Sequence, residues 1–132
     1  MDPVPQDGLP VQPMDAEETY QHVFFYFMVA LRNLAVDSKP PQDAGGNIIV
    51  AQELQNEILS GRYVIGKEKL SELEEAAVAA LASAVGAVPD TALKFPNGMM
   101  HPAWEPLRLQ AAMLLGLLDS RIAENKAYFE QY

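Results

Sequence analysis

The apolar positions of this chain fall into four stretches with a helical period, separated by breaker clusters. From residue 16 to about 36, Tyr20, Val23, Phe24, Phe27, Met28, Leu31 and Leu34 recur in steps of three and four, the spacing of one helix face. Phe25, Tyr26 and Val29 widen the stripe to most of the circumference. A helix apolar nearly all round has to be covered on more than one side. The first helix is therefore expected at the centre of a bundle, or with its second face against another chain. Asp15 stands where an N-cap belongs, and Glu17 and Glu18 follow on the favourable side of the helix dipole. DSKPPQDAGG, residues 37 to 46, ends the pattern.

A second helix is expected from a cap at Asn47 to about Ser60, on Ile48, Ala51, Leu54 and Ile58, with Gly61 as its C-terminal glycine. RYVIG, residues 62 to 66, reads as a short extended link. The third helix is expected over 67 to 86, with Leu70, Leu73, Ala77, Ala80, Leu81 and Ala84 as its face and four glutamates in its first half. The fourth runs from Pro106 to about Phe129 on Leu107, Ala111, Leu114, Leu115, Leu118 and Ile122, with proline in the first turn where no donor is lost. Residues 87 to 105 show no helical pattern. These elements predict an all-α fold, a compact antiparallel bundle of about four helices with one long 87–105 connection that has room for a minor hairpin. Residues 1–14, with four prolines and no periodicity, read as a flexible tail on a single helical domain, 15–132.

Charge changes the picture next. Eighteen acids against nine bases give −9, and residues 1–31 carry five acids and no base. Such a surface repels nucleic acid and anionic lipid and steers toward basic proteins. The expected partner is therefore a basic protein, with neither nucleic acid nor membrane. The longest apolar run, residues 23 to 31, has nine residues, against roughly 20 for a membrane span. MDPVPQDGLP has neither Lys, Arg nor an apolar run, so it does not read as a secretory signal. A cytoplasmic location is the expectation.

Candidate chemistry is thin. The absence of cysteine removes thiolate chemistry and disulfides. Glu18 and His22 lie one turn apart, but no Glu-x-x-His occurs, and the pair is expected to be a surface contact rather than a metal site. His101, with Glu105 four residues on, is expected to be a loop contact. No serine lies in a G-x-S-x-G context and no phosphate-binding loop appears. The acid pairs Glu17/Glu18 and Glu74/Glu75 are adjacent residues, which point about 100° apart on a helix. Neither enzymatic activity, a metal nor a cofactor is expected.

The stretch FPNGMMHPAWEP, 95 to 106, remains. Pro96-Asn97-Gly98 reads as a turn, with proline setting φ and the next two residues tolerating positive φ. Its apolar side chains either fold back as a lid over the bundle's open end or form a contact surface. The expectation is a small, acidic, non-catalytic interaction protein that binds and masks a basic partner, as immunity proteins, antitoxins and phage inhibitors do. Phe95, Met99, Met100, His101 and Trp104 would be the anchors, with Glu17, Glu18, Glu72 and Glu75 steering. The alternative is a bundle that binds a small ligand or metal between its helices, lined by the methionine- and aromatic-rich first helix. A homodimer through Phe25, Tyr26 and Val29 is compatible with either.

Overall fold

The structure, a computed structural model, describes residues 15–36 and 49–131. The proline-rich tail, the 37–46 breaker and the expected Asn47 cap lie outside the described residues. Within them the chain is an all-α bundle: α1 Ala16–Ala35, α2 Ala51–Ser60, α3 Glu72–Gly86, α4 Glu105–Leu117 and α5 Asp119–Glu130. Asp15 caps α1, its side chain accepting from the Glu18 backbone N–H at 2.7 Å. Of the stripe, Tyr20, Phe24, Phe27, Met28, Leu31 and Leu34 are buried.

Four helices form a ring in which α1 packs on α2, α2 on α3, α3 on α4 and α4 on α1, while α5 lies against α1. This explains the width of the apolar stripe on α1: it meets α2, α4, α5 and the 3-10 turn Gly61–Val64. The start of α4 is tied to the end of α1, because Arg108 donates to Leu34 O at 3.2 Å and Val36 O at 2.7 Å. Past the other end of α4, Asn125 donates to Gln21 O at 2.9 Å and to Gln21 Oε1 at 2.8 Å. The helix α4 therefore runs back along α1.

Several expected boundaries shift. The second helix begins at Ala51, with Val50 before it and no side-chain cap. Gly61 does not end it in a left-handed conformation; its φ of −63° and ψ of −14° lead into the 3-10 turn that replaces the expected extended link. Glycine is needed there because a Cβ would stand 2.2 Å from Phe27 Cδ1. The third helix starts at Glu72, not 67, since Gly66 (φ 80°) and Glu68 (φ 61°) hold the preceding backbone away from helix. Ser71 and Glu74 close a capping box, each side chain accepting from the other's backbone N–H, at 3.1 and 2.8 Å. Its buried face is Glu74, Val78, Leu81, Ala82 and Val85, leaving Leu73 and Ala80 exposed. Burying Val78 and Val85 removes more apolar surface from water than burying the alanines beside them. The fourth helix breaks at Leu118, between Gly116 and Ser120, into α4 and α5; glycine and serine are weak helix formers.

The 87–105 connection contains no hairpin. It folds into three 3-10 turns, Asp90–Leu93, Gly98–Met100 and Pro102–Trp104. The turn at 95–98 closes by Gly98 N–H donating to Lys94 O at 2.6 Å, but Asn97 has φ −103° and Gly98 no positive φ. Gly98 is required by proximity instead: a Cβ would lie 2.6 Å from Ala92 O. Ala92, Met99 and Trp104 enter the core, so the connection closes the end of the bundle.

Candidate functional site

The five loop residues expected as anchors divide between inside and outside. Trp104 is fully buried, 0 % exposed, and its indole Nε1–H donates to Ala92 O at 2.9 Å. Met99 is buried as well, and its carbonyl accepts from Arg108 Nη2 at 2.9 Å. These two side chains hold the loop down and offer no surface to a partner. His101 is half-buried and accepts from the Ala103 backbone N–H through Nδ1 at 3.0 Å, so it fixes the following turn. Phe95, at 65 % exposed, and Met100 face solvent.

Arg108 organises this end of the molecule. It is buried, and its guanidinium donates to three backbone carbonyls, on Leu34, Val36 and Met99. Its Nε has no hydrogen-bond acceptor; Glu105 Oε2 at 3.9 Å supplies only electrostatic attraction. The sequence offers no signal for this role, because two of the three carbonyls it satisfies, on Leu34 and Val36 at the end of α1, lie over 70 residues away.

The acids named for steering also divide. Glu17 binds Lys69 and accepts from Gln21 Nε2 at 2.6 Å, contacts that hold its carboxyl below its ordinary range. Glu75 accepts from the Gly66 N–H at 2.7 Å. Glu72 is exposed and Glu18 partly so. Glu74 accepts from Arg121 Nε at 3.2 Å. Burial would raise its carboxyl, but the Ser71 N–H and Arg121 outweigh burial and lower it. Burial raises Glu57, helped by Glu53. Burial also pushes the Tyr20 hydroxyl up to about 12, so it stays protonated at neutral pH.

His22 lies edge-on to Phe129, ring centres 5.0 Å apart, and forms no ion pair with Glu18. Among the described residues no three His, Asp or Glu side chains gather as a metal site. No helix among them is long and apolar enough to cross a membrane.

Two surfaces stand out instead. The first is the outer face of α4, where Leu109 (65 % exposed), Met113 (67 %) and Leu117 point to solvent beside exposed Ala112 and Gly116. A Cβ at Gly116 would meet nothing within 4 Å. This face was legible as a second stripe at i, i+4, i+8, hidden behind the stronger one that begins at Leu107. The second surface is a half-open groove of about 590 Å³ between α1 and α5. Met28, Ile122 and Phe129 line it, Phe25 and Tyr26 border it, and Arg32 and Lys126 stand on its two walls. Phe25 packs edge-on against Phe129, centres 5.9 Å apart, while Tyr26 stays exposed and Val29 is half-buried.

Compared with protein families, curated proteins and solved structures, the chain matches none.

Proposed function

We propose that this protein is a small acidic interaction protein without catalysis of its own, which binds and masks a basic partner protein through the outer face of α4. The observation that carries this reading is the face itself. Leu109, Ala112, Met113, Gly116 and Leu117 make an uncharged solvent-facing strip, about 12 Å long at the helical rise per residue. A row of exposed large apolar side chains favours association, and an exposed glycine in the last turn of α4, with nothing within 4 Å of its Cβ position, lets another backbone approach closely. A partner element packing closely against the strip accounts for both. Exposed Glu105 and Asp119 bracket its ends, so the complementary surface is apolar at its centre and rimmed by Lys or Arg. The net charge of −9 adds long-range attraction to such a partner. Covering a basic surface in this way suits a neutralising inhibitor of the immunity-protein, antitoxin or phage type. Phe95 and Met100 extend the contact at the loop.

The test is affinity capture from the host's lysate at low and high salt, with wild type and Met113→Asp side by side. A basic protein retained at one-to-one stoichiometry by wild type, weakened by salt and lost from Met113→Asp, is the expected result. Met113 is mostly exposed, so the variant keeps its fold, which circular dichroism checks. Equal retention by both proteins removes α4 from the interface, and retention of nothing removes masking altogether.

A further inference from the structure

The groove between α1 and α5 differs in chemistry from the rest of the molecule. The chain carries twice as many acids as bases, and several of its cations are engaged elsewhere. Lys69 binds Glu17, Arg121 binds Glu74 and Glu124, and Arg108 is buried on backbone carbonyls. Lys67 lies over the Tyr63 ring at 4.1 Å. Arg32 on α1 and Lys126 on α5 have no carboxylate partner among the described residues, yet both line the same groove. Glu130 is its one acid, so the site's local charge is positive within a strongly negative protein.

The groove floor is apolar, and the one amide side chain on its wall has its donors engaged. Asn125 spends its Nδ2 donors on Gln21, so it offers a ligand no further donor. Phe129 is held by edge-on contacts with His22 and Phe25. A volume of about 590 Å³ falls within the range of roughly 300–1,000 Å³ typical of small-molecule sites. An apolar slot whose walls carry two cations with no carboxylate partner among the described residues matches a ligand that is itself divided into an apolar body and an anionic head.

We propose that the α1–α5 groove binds a soluble anionic amphiphile, a carboxylate carrying an aliphatic chain. The chain lies along Met28, Ile122 and Phe129, and the carboxylate meets Arg32 and Lys126. The site is separate from the α4 face and stands whether or not that face binds a partner.

Dodecanoate and dodecyltrimethylammonium below their critical micelle concentrations, and dodecanol below its solubility limit, are titrated into the full chain by calorimetry, and binding is mapped by amide chemical shifts. Dodecanoate is expected to bind saturably at one per chain, with shifts centred on residues 22–32 and 122–130. Arg32→Glu combined with Lys126→Glu is expected to weaken it by about tenfold or more, the size of one or two half-exposed charge pairs. Both side chains are exposed, so the variant folds. Equal binding of the three probes overturns the proposal, as does undiminished dodecanoate binding by the double variant or a shift map on α4. Two further results would overturn it: sedimentation with phosphatidylglycerol vesicles without binding of free dodecanoate, which makes the groove a membrane contact, and light scattering that shows a dimer dissociated by Tyr26→Asp, which makes it a seam between copies.

Discussion

Replacing Gly61 with alanine separates two opposing effects cleanly enough to test the packing of the bundle. Gly61 has right-handed helical backbone angles, so alanine fits the conformation and, by restricting the unfolded chain, favours folding by about 0.4–1 kcal/mol. Against this, the new Cβ would stand 2.2, 2.5 and 2.7 Å from three ring carbons of Phe27. Ordinary carbon contacts lie near 3.5 Å or beyond, so the ring or the 3-10 turn has to yield by about 1.3 Å. Phe27 is 1 % exposed, and a close-packed interior has no room to receive it. Overpacking of this kind costs about 1–3 kcal/mol.

The steric effect therefore wins, with a net loss of about 1–2 kcal/mol. At about 4 °C per kcal/mol for a domain of this size, the melting temperature falls by about 4–8 °C. Calorimetry or thermal circular dichroism measures it. Gly116→Ala is the internal control, because nothing lies within 4 Å of its Cβ; it should raise stability by about 0.5–1 kcal/mol. Phe27→Leu added to Gly61→Ala should cost less than Phe27→Leu alone, a coupling of about 1 kcal/mol. A rise in melting temperature for Gly61→Ala, or strict additivity with Phe27→Leu, would refute the argument.

The remaining predictions concern polar contacts. Arg108→Leu leaves three backbone carbonyls without their donor, and urea unfolding should show a loss of about 3 kcal/mol; Arg108→Lys should recover little of it, since an ammonium cannot reproduce the planar fork. Glu74→Gln should change the pH dependence of stability. Glu74 has a lowered folded pKa, so the carboxylate's contribution is fully present above the ordinary carboxylate range and disappears as pH falls through the folded value. The stability difference between wild type and Glu74→Gln is therefore expected to be largest at pH 7 and to close on acidification, read from urea midpoints; a difference that grows toward acid contradicts the assigned contacts with Ser71 and Arg121.

How far the fold was legible follows from the range of the interactions involved. The extent of α1 could be read because an Asp15 cap and a seven-residue stripe agree, and both are local. The start of α3 was equally local, written in Ser71-x-x-Glu74, yet apolar spacing extended back to Leu70 masked it. The expected face also included Leu73 and Ala80, which are exposed, and did not include Val78 and Val85, which are buried. Gly61 and Gly98 looked like turn glycines because only their neighbours in sequence were visible. Their true constraints, the Phe27 ring and the Ala92 carbonyl, come from tertiary approach.

The same distinction governs the candidate sites. Tryptophan and methionine in a long connection suit an interface and a lid equally, and composition cannot separate the two. What decides is where Trp104 Nε1 finds its acceptor, and Ala92 O supplies one inside. Once Trp104 and Met99 are drawn in, the α4 strip and the α1–α5 groove group several of the apolar side chains left at the surface, while Leu73 on α3 and Phe95 and Met100 in the loop stand outside both. The α4 strip makes no call on the core, since Leu107, Ala111, Leu114 and Leu118 already fill it. Leu109 and Met113, each about two-thirds exposed, therefore contribute little to holding this chain together, and polar substitutions there should leave stability nearly unchanged while altering what the protein binds.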